Sequence, residues 1–156
     1  VTVHEVVAGA VDSARRVVVF DREGLTRAFV AADYLSARGA EVLFLTALPE
    51  VGPLLDGHMR DELIQRLSER GVRFAAGEAP VAWLDARRLV VRDVPTGAER
   101  VVETDALVAT VGSVSESALA DALRGRVPEL YVIGDANQPQ TVEAATYQGA
   151  RVGRLL

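Results

Sequence analysis

Cysteine is absent from these 156 residues. That excludes a disulfide framework, a thiolate nucleophile, and any iron–sulfur or cysteine-held zinc site within the segment. Histidine is scarce, with only His4 and His58. His58 has Asp56, Asp61 and Glu62 nearby, but a lone imidazole among scattered carboxylates lacks ligand spacing, so no metal site is expected and His58 reads as a helix-cap or surface residue. There is no G-x-S-x-G elbow and no Ser/His/Asp order, so no hydrolase triad is expected. Clustered base is also missing. The net charge is −5 and the pI near 5.1, and Arg15-Arg16 and Arg87-Arg88 are the only basic doublets of note, both diluted by acids. A nucleic-acid partner is therefore excluded, since phosphate binding needs clustered Lys and Arg. No apolar run is long enough to span a bilayer and no signal peptide opens the chain. The expectation is no membrane partner and a cytoplasmic location. The first residue is Val1 rather than Met, and a piece of a longer protein is expected.

What is present is a regular alternation of strand and helix patterns. "RRVVVF" (15–20) is a continuous β-branched run of the kind covered on both faces. Leu25, Ala28, Phe29, Ala32 and Leu35 follow at helical spacing, with Gly39 placed to stop the helix, and "AEVLFLT" (40–46) is a second buried strand. Asp56 is an N-cap for a helix with Met59, Leu63 and Leu67 as its buried stripe and Gly71 as its stop. "VRFAA" is a short strand. "PVAWLDA", "RLVVRDV" and "ERVVETD" read as an antiparallel meander, in which Trp83 is a core or sheet-face residue. "ALVATVG" (106–112) returns to a buried strand, "SESALADAL" is a short helix capped near Ser115, residues 130–133 supply a last strand, and a helix from Thr141 closes the chain. This predicts an α/β fold: a Rossmann-like open parallel sheet with helices on both faces and a small antiparallel meander.

A dinucleotide-binding βαβ unit carries G-x-G-x-x-G in its first turn, so that backbone reaches the pyrophosphate at a helix N-terminus. Here that turn is "FDREGLTRAFVAA", with Gly24 the one glycine in the right neighbourhood. Asp21 and Glu23 place two carboxylates where a pyrophosphate would sit; uncompensated, each repels it by roughly 1 kcal/mol at about 4 Å in a water-like dielectric. The second strand ends at Thr46 with no acid on its tip for a ribose hydroxyl. The fold is a nucleotide-binding one without its fingerprint.

"RRVVVFDREGLTRAFVAADYLSARGAEVLFLT", "LIQRLSERGVRF", "TDALVATVGS" and "LYVIGDANQPQTVEAATYQGARVGRLL" resemble the C-terminal region of the old-yellow-enzyme-like NADH:flavin oxidoreductases. This is the branch holding trimethylamine dehydrogenase, histamine dehydrogenase and 2,4-dienoyl-CoA reductase. The most specific part is I-G-D-A-x-x-P followed by E-A-A-x-x-x-G, Ile133 to Gly149. The resemblance implies a parent with an N-terminal barrel that holds FMN and a 4Fe-4S cluster, followed by FAD-like and NAD(P)H-like domains of glutathione-reductase type. Residues 1–128 would be the NAD(P)H-like domain with its lead-in, and residues 129–156 the last strand and helix of the FAD-like domain, packed as one unit. The implied partners are the barrel and the remainder of the FAD-like domain in the same chain, in a homo-oligomeric parent.

The same resemblance implies the site residues. Gly134 and Asp135 would meet a bound dinucleotide, the aspartate accepting a hydroxyl and the glycine leaving room for approach. Asp135 as a cap of the following turn is the competing reading. Gly112 aligns with a family glycine near the nucleotide crevice, with a turn role as its alternative. ADP, FAD or NAD(P)H are the candidate ligands, and no catalytic residue is expected within this segment. Two readings stand: a nucleotide-binding-like domain of an FMN/iron–sulfur oxidoreductase of amines or enoyl substrates, or a scaffold that binds no nucleotide and mediates packing. The acidic turn favours the second for the first βαβ unit, and Gly134-Asp135 favours the first for the last strand.

Overall fold

Two strands that read as unbroken apolar runs sit side by side inside a parallel sheet, where cover on both faces removes any need for polar alternation. The computed structural model describes residues 1–156, which divide into two units, Val1–Val111 and Gly112–Leu156. The first runs α1 (Val3–Val7), β1 (Arg16–Asp21), α2 (Thr26–Ser36), β2 (Glu41–Thr46), α3 (Gly57–Glu69), β3 (Arg73–Ala76), β4 (Glu78–Trp83), β5 (Arg88–Asp93), β6 (Glu99–Glu103) and β7 (Ala106–Thr110). The second holds α4 (Ala118–Leu123), a 3₁₀ turn at Gly134–Ala136 and α5 (Val142–Val152).

The parallel sheet has the order β3-β2-β1-β7, and β4-β5-β6 form the antiparallel sheet. Successive strand side chains point to opposite faces, so β1 and β2 feed two cores. Val17, Val19, Val42 and Phe44 pack with Val6, Phe29, Leu35 and Leu67 of the helices. Val18, Phe20, Leu43 and Leu45 pack with Leu89 and Val91 of β5. The expectation of helices on both faces is corrected in this unit: α1, α2 and α3 cover one face and the meander covers the other. The cause is legible in β5, which buries Leu89 and Val91 while exposing Arg88 and Arg92. Such a strand is a half-polar cover for an apolar sheet face. Trp83 lies on the meander surface, 44% exposed.

The helix ends follow local chemistry. After α2, the Ala40 N–H donates to the Leu35 carbonyl at 3.2 Å and the Gly39 N–H to that of Ser36 at 3.0 Å, the paired bonds of a Schellman stop. α3 repeats the pattern with Val72 to Leu67 and Gly71 to Ser68. It begins where Asp56 Oδ1 accepts the N–H groups of His58 at 3.1 Å and Met59 at 3.4 Å. Met59 itself is 47% exposed, and the buried stripe moves to Leu63, Ile64 and Leu67.

The second unit departs further from expectation. Residues 130–133 join no ladder, although Ile133 is extended at φ −135° and ψ 169°. A strand persists only where a neighbour meets its N–H and C=O groups, and none in this chain pairs with it. No residue of this unit is buried. Ser115 does not cap α4; its hydroxyl donates to the Asn137 carbonyl at 3.0 Å, and Ser117 occupies the cap position with its hydroxyl donating to Asp121 Oδ2 at 3.0 Å rather than meeting a helix N–H. Thr141 does cap α5, its Oγ1 accepting the Ala144 N–H at 3.3 Å.

Candidate functional site

The carboxyl ends of the parallel strands are where open α/β sheets take ligands, at the point where strand order reverses. Here that point is the boundary of β1 with β7, since the chain runs from β1 outward to β2 and β3 on the other side. Asp21 and Thr110 are the terminal register pair across it, and both are buried. Asp21 Oδ1 accepts the Glu23 N–H at 2.9 Å, the Gly24 N–H at 3.2 Å and the Thr110 hydroxyl at 3.0 Å, while Oδ2 also faces the Gly24 N–H at 3.2 Å. Among the buried residues it is the one that carries a carboxylate. Glu23, expected to repel a phosphate, has its charge answered by Arg27 at 2.7 Å.

Gly24 is buried, with φ +68°. A Cβ there would lie 3.0 Å from Pro53 Cδ and 3.1 Å from Leu48 Cδ1, so the space beside it is filled by protein. The sequence shows two acids and a glycine in this turn but not that one acid folds inward. The missed partner is Thr110, whose only sequence signal is a hydroxyl ending an otherwise apolar strand.

Burial pushes the Asp21 carboxyl above the ordinary aspartate value, against the opposing hydrogen bonds from the Glu23 N–H, the Thr110 hydroxyl and the Gly24 N–H. Asp105 goes the other way: it accepts the Arg16 and Arg15 N–H groups, each at 3.0 Å, and these hold it below the ordinary value. Both depart from 3.8, with opposite consequences. The raised Asp21 value gives the fold a contribution that is present at low pH and lost as pH rises from 3.8 through the raised value. The depressed Asp105 value gives one that is present above 3.8 and lost as pH falls through the depressed value. Carboxyl carbon NMR titration should place the Asp21 midpoint above 3.8 and that of Asp105 below it; the reverse order would contradict the burial assigned to Asp21.

The remaining expected residues lie in the second unit. Gly112 is exposed with φ +100°. Gly134 has φ +60°, and its N–H donates to Gln148 Oε1 at 2.8 Å. A Cβ on Gly134 would come no nearer than 3.7 Å to Ala145 Cβ, so it is the left-handed backbone, rather than crowding, that calls for glycine. The 3₁₀ turn is thereby fastened to the middle of α5. Gln148, which the sequence did not single out, is the residue that fixes it. Asp135 is exposed and carries no hydrogen bond, leaving its carboxylate open to an incoming hydroxyl. Beside it, residues 130–133 with Asn137, Gln148, Arg151 and Val152 line an open cleft of about 410 Å³.

A parallel sheet reversing order at β1 and β7, with an antiparallel meander over one face, defines the dinucleotide-binding class of α/β domains. Residues 27–149 match the pyridine nucleotide-disulphide oxidoreductase family, and the chain belongs to it. A curated relative, a metal reductase of Desulforamulus reducens, is 37% identical over 65 residues, 42% of this chain and 10% of that protein. Histamine dehydrogenase from Rhizobium sp. 4-9 superposes with a TM-score of 0.88 at 24% identity, over 99% of this chain and 26% of its own. The 6-hydroxypseudooxynicotine amine oxidase of Pseudomonas geniculata N1 gives a TM-score of 0.88 at 24% identity, over 98% of this chain and 24% of its own. The resemblance read from the sequence is thus met by the fold, and the chain spans about a quarter of the length of those structures. No helix is long and apolar enough to cross a membrane.

A pyridine nucleotide, which the family's description implies, does not fit the β1–α2 turn. The N–H groups of Glu23 and Gly24 and the Thr110 hydroxyl already hold the Asp21 carboxylate.

Proposed function

We propose that this chain is the C-terminal nucleotide-binding-like part of a larger FMN and iron–sulfur NADH:flavin oxidoreductase acting on amines or enoyl substrates. In the parent its turn at Gly134 and Asp135 meets an ADP, FAD or NAD(P)H moiety, with Gly112 near the same crevice. The observation that carries this reading is the open Asp135 carboxylate beside a glycine at φ +60° in a unit without a buried residue. A segment so little buried has the character of one completed by further chain, and residues 130–133, which join no ladder and end on an extended Ile133, offer unpaired backbone to a neighbouring strand. The FMN barrel and the rest of an FAD-like domain are the proposed partners, in a homo-oligomeric cytoplasmic parent. Electron transfer and substrate chemistry belong to that barrel, and this part contributes cofactor placement and packing.

For the first βαβ unit the scaffold reading is favoured, on the bonded state of Asp21. The reading as a whole is tested on the intact gene product. Sequence upstream of Val1 should encode a flavin barrel with a cysteine cluster, and the purified protein should hold FMN. In that protein Asp135→Ala should weaken ADP binding about tenfold, the effect of losing one hydrogen bond to a charged group. A gene without such a barrel, or equal ADP affinity for both forms, sinks the assignment.

A further inference from the structure

We infer that Asp21 is a tethered occupant of the phosphate position of the first βαβ unit, and that it is the residue that closes this unit to a dinucleotide. A Rossmann-type turn binds an anion because backbone N–H groups at the strand end point inward at a common spot beside the reversal of strand order. In this chain two such N–H groups, from Glu23 and Gly24, converge at 2.9 Å and 3.2 Å on an oxygen that belongs to the protein itself. Thr110, at the tip of the neighbouring strand, adds a hydroxyl at 3.0 Å. Two amides and a hydroxyl around an oxyanion make the donor set a phosphate oxygen would use, and the charge they hold is already in place.

An aspartate accepting N–H groups two and three residues ahead is also a common local turn device. Two observations set Asp21 apart from that. It is fully buried rather than on a loop surface, and it is bonded across the sheet to β7 as well as along its own turn. Neither is needed to form a turn, and together they put the carboxylate at the β1–β7 reversal point. The packing agrees. Pro53 and Leu48 fill the space beside Gly24, and Glu23, with a side chain only 9% exposed, is held down by Arg27. A phosphate arriving from solvent would have to displace a covalently attached anion whose effective concentration at the site no free ligand matches.

The test is amide NMR of the 156-residue chain titrated with inorganic pyrophosphate and, separately, ADP. In the wild-type chain the Glu23 and Gly24 amide signals should stay fixed through millimolar ligand. In Asp21→Gly the same two signals should move and saturate, with affinity at least tenfold above the wild-type limit. The separate proposal above is read on the intact gene product through Asp135→Ala, so the two can fail independently. Saturable movement of Glu23 and Gly24 in the wild type overturns the inference. So does an Asp21→Gly chain with an otherwise unchanged, dispersed spectrum whose two signals do not respond. If Asp21→Gly gives no dispersed spectrum, Asp21→Ser, which retains a hydroxyl for Thr110, is judged by the same criterion, and the wild-type arm decides alone if both collapse.

Discussion

Phe44→Ala is expected to lower the free energy of unfolding by about 3–5 kcal/mol. Phe44 lies in β2 with no exposed surface, and its ring centroid is 5.0 Å from that of Phe29 and 5.2 Å from that of Phe74, tilted by 48° and 45°. These separations lie in the range of favourable tilted aromatic pairs, so truncation removes two ring contacts together with the buried area. Phe29 comes from α2 and Phe74 from β3; the cavity would open between helix layer and sheet, where neither rigid element can collapse to fill it. A domain of this size holds only about 5–15 kcal/mol in total, so the variant should sit near the edge of stability. Urea denaturation followed by circular dichroism measures it. Phe74→Ala, at a half-buried edge position, should cost visibly less. A loss under about 1 kcal/mol for Phe44→Ala would mean that the helical layer does not pack as described.

Gly24→Ala should be the next largest, and its comparison with Gly39→Ala separates two causes. Both glycines have positive φ, +68° and +87°. A side chain in that conformation costs about 1–2 kcal/mol. At Gly39 a Cβ meets nothing within 4 Å, so that cost should be all that is seen. At Gly24 it meets Pro53 Cδ at 3.0 Å and Leu48 Cδ1 at 3.1 Å, which adds an overpacking cost of about 1–3 kcal/mol. Denaturation midpoints should therefore fall further for Gly24→Ala than for Gly39→Ala. Equal losses would show that the loop carrying Pro53 yields freely and that the turn is less tightly walled than its contacts imply.

That turn is also where sequence and structure part. The sequence contains Asp21, Glu23 and a single glycine, and two acids in that place predict repulsion of a phosphate. Glu23 is neutralised by Arg27 one helical turn on, which spacing alone allows. Asp21 acts by occupying donors instead, and no pattern in the sequence says which way its side chain turns. Residues 130–133 make the same point from the other side. Their apolar character was plain, but strand formation depends on a pairing partner and none is supplied here. Periodicity puts Met59 in the α3 stripe but defines a face only approximately, and packing selects Ile64 instead.

What the sequence determined by itself is whatever rests on contacts a few residues apart. The Asp56 cap, the stops at Gly39 and Gly71, and the Thr141 cap are satisfied by neighbours in the chain. The buried strands β1 and β2 belong with them, because an unbroken apolar run has to be covered on both faces wherever it lies. Tertiary structure alone decided which layer supplies that cover, and that the Asp21 carboxylate meets a hydroxyl 89 residues away. Such pairings join distant positions whose encounter no local preference encodes; only the closed sheet brings them within hydrogen-bonding reach.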